Sequence, residues 1–152
     1  MAIKMKTSVT LTARAECPSH SLAEVAVRDL VQMIDEPTER GGANKGFTPT
    51  DTALSALIGC TNVIGHKCAD MLGVDIGHLQ ISAKCRFNRL GVTLAEEVEV
   101  PFEEIDLVVV SDGTATQDEL NAVATEVAKY CPLAKLFRGA GTIINEDWRK
   151  AD

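Results

Sequence analysis

The residues of this 152-residue chain with the most evident capacity for chemistry are its cysteines, Cys17, Cys60, Cys68, Cys85 and Cys131. The sequence contains no G-x-G-x-x-G, P-loop, G-x-S-x-G or H-E-x-x-H motif, so thiol chemistry is the chemistry left to consider. A thiol is a nucleophile only as its thiolate, and its reactivity therefore depends on its pKa and its accessibility. An odd number of cysteines in a chain long enough to form a core argues against a disulfide framework and indicates reduced thiols.

Two of the cysteines stand in a context that differs from the other three. Cys60 lies within an apolar segment between Gly59 and Thr61, two small residues that leave room for a ligand or partner to approach the sulfur. Cys131 precedes Pro132 at a predicted junction of two helices, where free backbone N–H groups favour a thiolate. Each is also explained as a buried structural cysteine, so the residue pattern leaves both interpretations open. The other three are expected to be packing or surface residues.

Cys60 is positioned by a long predicted helix. Thr48 is suited to the N-cap, Pro49 to the first helical position and Asp51 to a capping box. The following residues up to Leu72 are apolar on most of the helix circumference, and Gly73 ends the helix. A helix with so little polar surface needs cover on several sides, so we expect it to pack against a second copy of the chain in a homodimer.

Cys131 is positioned by two further helices. Thr116 and Glu119 form a second capping box, and apolar residues recur at helical spacing from there to Cys131. Pro132 interrupts the helix and begins a short new one that runs to Phe137. The sequence therefore predicts that the Cys131 thiol lies where one helix ends and the next begins.

Alternating and β-branched patterns predict the strands. They cover residues 7–16, 22–34, 76–88, 92–100, 105–110 and 141–145, with a flexible glycine-containing loop over 38–47. The first two strands form an N-terminal β-hairpin. Because strands group on both sides of two long helices, the fold class is α+β, and the absence of repeats or linkers indicates a single domain over residues 1–152.

Charge and hydropathy exclude several classes of partner. The formal net charge of −7 provides no basic face for nucleic acid or an anionic membrane. No apolar run approaches the roughly 20 residues that span a bilayer, and the N-terminus lacks the apolar core of a signal peptide. We therefore expect a soluble, cytoplasmic protein. His66 and Cys60 fall on different helix faces without the spacing of a zinc motif, so we expect no metal site and no bound cofactor.

Residues 41–74, from the Gly-rich loop through the apolar helix, resemble the OsmC/Ohr family of osmotically inducible and organic hydroperoxide resistance proteins. The family pattern places a cysteine eleven residues after a proline, as Pro49 and Cys60 are spaced here. A Cys-Pro pair at a helix end is the second mark of the family, and Cys131-Pro132 follows Cys60 by 71 residues. The triplet Asp35-Glu36-Pro37 is common in the OsmC-like branch. The resemblance covers nearly the whole chain.

This resemblance implies a fold and an activity. The fold is an intertwined α+β homodimer with an N-terminal β-hairpin, a central buried helix, a second sheet region and a second long helix. The activity is a thiol-dependent peroxidase acting on organic hydroperoxides or hydrogen peroxide in a stress response. Cys60 would attack the peroxide, and Cys131 would resolve the sulfenic acid as a disulfide. An external dithiol such as a lipoylated protein would restore the thiols.

The peroxidase branch of this family activates its nucleophile with an arginine held by a glutamate, and here the correspondence is incomplete. By this resemblance that glutamate would fall on Thr50. The neighbouring Asp51 corresponds to a position where the OsmC-like branch often carries glutamate, although it is equally suited to capping the helix. Arg28 is the first candidate for the cation beside Cys60 and Arg40 the second; both are also explained as solvated charges. The alternative function is a non-catalytic member of the fold that binds a small hydrophobic ligand or a protein partner.

Overall fold

A computed structural model of the chain describes residues 6–152, so residues 1–5 of the predicted 1–152 domain lie outside the described residues. The chain forms two compact units, one ending at Thr52 and the other comprising Ala53–Asp152. Each unit has its own three-stranded sheet, and the fold is of the α+β class that the sequence predicts. Within residues 6–152, none of the helices combines the length and the apolar character that crossing a membrane requires.

The sheet of the N-terminal unit is an antiparallel meander of β1 (Arg14–Glu16), β2 (Ala23–Val27) and β3 (Leu30–Ile34). The prediction of one continuous strand over residues 22–34 is wrong, because the chain turns back at Arg28, whose φ is 56°. A two-residue turn preserves the alternation of side chains, and this one lacks the glycine or asparagine that marks such turns. Only the last three residues of the predicted strand over 7–16 pair with β2.

A buried carboxylate organises the loop that follows β3. Asp35 accepts hydrogen bonds from the backbone N–H groups of Glu36 at 2.8 Å and of Ala43 and Lys45 at 3.1 Å each. The Lys45 N–H contributes most to lowering the pKa of Asp35 below its usual value. A Cβ at Gly42 would lie 1.8 Å from the Glu36 carbonyl oxygen, so only glycine fits there. The loop that the sequence predicts as flexible is therefore anchored to Asp35 through two of its amides.

The long helix α1 spans Pro49–Leu72 and begins where the sequence predicts. The Thr48 hydroxyl accepts the backbone N–H of Asp51 at 3.1 Å and donates to its carboxylate at 2.7 Å. The Thr48 carbonyl accepts the N–H of Thr52 at 2.9 Å, which is the first bond of the helical ladder. The helix start is thus determined locally by the Thr-Pro-Thr-Asp sequence.

From Ala53 onward α1 belongs to the C-terminal unit, where one stripe of its surface is buried: Leu57, Thr61, Gly65, Cys68 and Ala69. Gly65 allows close packing, since a Cβ there would lie 3.0 Å from the Trp148 ring. The apolar residues Val63, Met71 and Leu72 are exposed. Within one chain the helix is therefore covered along one stripe and not on most of its circumference.

The sheet of the C-terminal unit has the order β4 (Leu79–Phe87), β5 (Phe102–Ser111), β6 (Ile143–Lys150). β4 is antiparallel and β6 parallel to the central strand β5. The prediction of a strand over residues 92–100 is wrong. Backbone bonds such as Ala95 N–H to the Leu90 carbonyl at 2.9 Å form turns there instead. The alternating pattern of this segment therefore reflects no pairing with a neighbouring strand.

Two helices complete the C-terminal unit, α2 (Gln117–Tyr130) and α3 (Pro132–Gly139). The predicted capping box at the start of α2 is confirmed: Thr116 accepts from the Glu119 N–H at 3.3 Å, and the Glu119 carboxylate accepts from the Thr116 N–H at 2.7 Å. The core of this unit combines buried residues of the sheet, of the three helices and of the segments that connect them: Leu57, Cys68, Ala69, Ile76, Ile105, Leu107, Val109, Ala115, Leu120, Val123, Val127, Cys131, Ala134, Phe137 and Trp148.

Candidate functional site

Cys131 occupies the junction between α2 and α3. Its backbone N–H donates to the Val127 carbonyl at 2.8 Å and closes α2, while its sulfur accepts the Ala134 N–H at 3.4 Å and caps α3. Pro132 takes the first position of α3, where a missing N–H costs nothing. The sulfur is at the helix N-terminus, as the Cys-Pro sequence predicts, and the residue is fully buried with 0% of its surface exposed.

The fold brings Cys60 to Cys131. Cys60 lies half-buried on α1 and packs against the core cluster that contains Cys131. Burial is the largest cause of the raised pKa of Cys131, and the neighbouring Cys60 side chain adds to it through a hydrogen bond and through charge. All five cysteines are free thiols. The structure therefore holds a reduced, interacting pair of thiols whose members are distant in the sequence.

Burial decides the protonation of the inner thiol. It raises the pKa of Cys131 to about 11, and the hydrogen bond with Cys60 adds to the rise. The N–H groups of Ala134 and Leu133 act in the opposite direction but are outweighed. The expectation that the start of α3 makes Cys131 a thiolate is therefore wrong. Cys131 is protonated at neutral pH, and Cys60 is the more accessible sulfur.

The two residues that flank Cys60 in α1 differ in their surroundings. Gly59 is exposed, and a Cβ at that position would have no heavy atom within 4 Å. Thr61 is buried, with its hydroxyl donating to the Leu57 carbonyl at 2.8 Å. Of the two small neighbours expected to leave room beside Cys60, Thr61 belongs to the packed stripe, whereas Gly59 lies at the exposed surface of α1.

The predicted activating residues lie in the N-terminal unit. Arg28 is exposed in the turn between β2 and β3, and Arg40 pairs with the Glu36 carboxylate at 2.9 Å in a short 3-10 helix, Thr38–Arg40. Asp51 contacts the Thr48 hydroxyl at the start of α1, which supports its role as a helix-capping carboxylate. Action of any of the three on Cys60 stays a prediction.

His66 makes contacts that satisfy its ring within the protein. Nδ1 lies 3.0 Å from the Asn62 carbonyl oxygen and Nε2 lies 3.0 Å from the Gly77 carbonyl oxygen. These two carbonyls raise the pKa of His66, because only the protonated ring donates from both nitrogens. Among the described residues 6–152, no three histidine, cysteine or acidic side chains are placed to hold a metal ion together.

The sequence did not predict an apolar cavity of about 250 Å³ in the C-terminal unit. Phe102 and Phe137 form part of its wall and pack edge to face with their ring centroids 5.2 Å apart. No local pattern could have indicated the cavity, because its walls come from distant segments: Ala53, Val100, Pro101, Phe102, Leu136, Phe137, Ala140 and Thr142.

Comparison with known sequences gives one family. The sequence model described as OsmC-like protein matches residues 42–146, which include both Cys60 and Cys131. A comparison with curated proteins finds no significant match.

Comparison with solved structures identifies the same fold. The crystal structure of an OsmC-like protein from Mycoplasma pneumoniae aligns with a TM-score of 0.79 at 18% identity, covering 96% of this chain and 100% of that one. An organic hydroperoxide resistance protein OsmC from Legionella pneumophila aligns with a TM-score of 0.68 at 16% identity, covering 97% and 100%. The organic hydroperoxide resistance protein OhrB of Bacillus subtilis gives 0.64 at 14% identity, covering 92% and 98%. At such identities the similarity establishes the fold.

Proposed function

The chain belongs to the OsmC-like protein family, and on that premise we propose that it is a thiol-dependent peroxidase that reduces organic hydroperoxides or hydrogen peroxide. The observation that carries the proposal is the placement of the half-buried Cys60 against the core cluster that contains Cys131, where it adds to the raised pKa of that thiol. An accessible thiol beside a second thiol is the arrangement that oxidises reversibly, because the first oxidation product is captured before it reacts further.

In the first step the Cys60 thiolate attacks the outer oxygen of the hydroperoxide. The O–O bond breaks and an S–O bond forms, so the sulfur loses two electrons and the peroxide gains them. The leaving alkoxide takes a proton and departs as an alcohol. Cys60 is left as a sulfenic acid.

In the second step the Cys131 sulfur attacks the sulfur of that sulfenic acid. The S–O bond breaks, and hydroxide leaves with the Cys131 proton as water, giving a Cys60–Cys131 disulfide. An external dithiol, such as that of a lipoylated protein, then reduces the disulfide, and no bound cofactor is required. Because the pKa of Cys131 is raised to about 11, loss of its proton is the demanding part of this step.

Activation of Cys60 is the part of the proposal that involves charged residues. A cation beside the sulfur would favour the thiolate, and Arg28 followed by Arg40 are the candidates. Asp51 would orient that cation. In separate variants, Arg28→Gln or Arg40→Gln should lower the rate constant for Cys60 oxidation without changing the number of thiols that react. An unchanged rate in both variants would remove the arginines from the mechanism.

The test of the enzyme is peroxide consumption by the purified protein with dithiothreitol or dihydrolipoamide. Cys60→Ser should abolish consumption of cumene hydroperoxide, whereas Cys17→Ser, at an exposed cysteine, should leave it unchanged. One equivalent of hydroperoxide should lower the count of free thiols from five by two. Full peroxide consumption by Cys60→Ser, or a thiol count that hydroperoxide leaves unaltered, would refute the proposed peroxidase activity.

The resolving role of Cys131 is tested by the oxidation product that forms on Cys60. In Cys131→Ser the Cys60 sulfenic acid has no partner, so excess peroxide should carry it to the sulfinic acid, seen as a gain of two oxygen atoms in the intact mass. Cys68→Ser is the matched control, since Cys68 is also a buried thiol of the core. A Cys131→Ser protein that forms no sulfinic product would contradict the resolving role.

A homodimer is part of the proposal. The exposed apolar residues Val63, Met71 and Leu72 on α1 would be covered by a second copy of the chain. Light scattering at micromolar concentration should give twice the chain mass of 16.3 kDa. A mass equal to one chain would contradict this assembly.

The apolar cavity favours a second function, the binding of a small hydrophobic ligand without catalysis. Its walls are almost entirely apolar, and concave apolar sites are typical ligand sites. Leu136→Glu at its exposed rim should weaken binding of a fluorescent hydrophobic probe, whereas Leu94→Glu, at another exposed leucine, should not. If both variants bind the probe like the parent protein, the cavity is not a binding site.

A further inference from the structure

The two sulfurs of the candidate site differ in accessibility, and this difference determines which of them an external reductant can reach. We propose that the dithiol reductant attacks the Cys60 sulfur of the Cys60–Cys131 disulfide, and that Cys131 is the sulfur that leaves. The inference rests on the proposed function, because it concerns the disulfide which that function forms. It assigns the mixed disulfide with the reductant to Cys60.

Access supports this assignment. Cys131 has no exposed surface and is enclosed by core residues of α2 and α3, among them Val127 and Ala134. Cys60 is half-buried, so part of its surface remains accessible. Thiol–disulfide exchange requires the attacking thiolate to reach one sulfur directly, so a reductant arriving from solvent meets Cys60.

The pKa of the leaving group acts against this route, and the Ala134 N–H reduces that cost. Burial makes Cys131 a poor leaving group, because a thiolate of high pKa departs slowly. The Ala134 N–H lies 3.4 Å from the Cys131 sulfur and is already directed at the atom on which negative charge develops as the S–S bond breaks. This hydrogen bond eases departure and keeps the sulfur at the start of α3, in position for the next cycle.

The exchange balances in two displacements. One thiolate of the dithiol bonds to Cys60, the Cys60–Cys131 bond breaks, and Cys131 leaves with the electron pair and takes a proton. The second thiol of the reductant, after losing its proton, then bonds to the first sulfur of the reductant and displaces the Cys60 thiolate. The protein disulfide gains two electrons, and the dithiol loses two and becomes a cyclic disulfide.

A monothiol stops the exchange at the mixed disulfide and reveals where it forms. The protein is oxidised with diamide, which requires no peroxidase activity, and then desalted and treated with glutathione. Acid quenching, alkylation with N-ethylmaleimide and peptide mapping should find glutathione on Cys60 and maleimide on Cys131. Glutathione on Cys131, or no Cys60–Cys131 disulfide after diamide, would overturn the proposal. If glutathione is found on Cys60 but the protein consumes no peroxide, only the proposed peroxidase activity is refuted.

Two variants, each with one cysteine replaced by serine, give an independent measurement. Reduced Cys131→Ser and reduced Cys60→Ser are each treated with glutathione disulfide, after circular dichroism has verified that both are folded. Cys60 in the first variant should react at least about tenfold faster than Cys131 in the second. Exposed Cys17 and buried Cys68 in the same peptide maps mark a reachable and an enclosed thiol. Equal rates for Cys60 and Cys131 would overturn the assignment.

Discussion

The raised pKa of Cys131 predicts a specific loss of stability at alkaline pH. In the unfolded chain this thiol ionises near the ordinary value of 9.0, whereas in the folded protein burial raises its pKa to about 11. The folded state therefore retains a proton that the unfolded state has lost. The stabilisation is fully present below pH 9 and disappears as the pH rises towards 11.

The magnitude follows from the two pKa values. At pH 10 the unfolded thiol is mostly ionised and the folded thiol mostly protonated, so Cys131 should raise the unfolding equilibrium constant about tenfold relative to pH 7. At pH values above both pKa values the factor should approach roughly a hundred, which corresponds to about 3 kcal/mol. Cys131→Ser lacks this ionisation, so the ratio of the wild-type constant to that of the variant isolates the effect from other titrating groups.

The assay is urea unfolding of both proteins at pH 7, 8, 9 and 10, at equal protein concentration and with reductant. The ratio of unfolding constants should be flat up to pH 8 and then rise. Cys17→Ser, at an exposed cysteine, should follow the wild type throughout. A ratio that stays constant to pH 10 would refute the effect of burial. A ratio that falls with pH would mean that the start of α3 lowers the pKa of Cys131 after all.

Four further predictions concern the helices α1 and α2 and the loop after β3. Gly59→Ala should stabilise α1 by about 1 kcal/mol because its Cβ enters open space. Gly65→Ala in the same helix should be less stable than Gly59→Ala by about 1–3 kcal/mol, because its Cβ meets the Trp148 ring at 3.0 Å; equal urea midpoints would contradict this. Thr116→Ala should lower the free energy of unfolding by about 1 kcal/mol through loss of the capping box. In urea unfolding this should appear as a lower midpoint concentration, with an unchanged dependence of the free energy on urea concentration. Since the Asp35 pKa is lowered on folding, its stabilisation of the loop is present above the ordinary value of 3.8 and lost as the pH falls through the lower folded value. Hydrogen exchange of the loop amides should show this step in the wild type and not in Asp35→Asn.

The helices were predicted well because their signals are local. Thr48 with Pro49, and Thr116 with Glu119, satisfy the first free N–H groups of a helix within a few residues of sequence. The signal of Cys131-Pro132 is equally local, since a proline cannot continue the hydrogen bonds of the preceding helix and is suited to the first position of the next one. Such signals depend on bonds between near neighbours, so no tertiary contact is needed to recognise them.

The strands were predicted less well because alternation does not identify a partner. The turn at Arg28 left the side-chain pattern uninterrupted, so two strands looked like one. Residues 92–100 alternate in the same way yet form turns. A strand exists only where another strand accepts its hydrogen bonds, and that condition is set by the whole chain.

The sequence by itself determined the α+β class, the helix that carries Cys60 and the junction that carries Cys131. It also indicated, through two Cys and Pro spacings, the family whose sequence model matches residues 42–146. Whether the two thiols lie near each other and which of them is enclosed are properties of the packed core. The sequence suggested a thiolate at Cys131 from its place before a helix, and the fold reversed that expectation. Desolvation depends on every segment that packs around the sulfur, and no spacing along the chain encodes it.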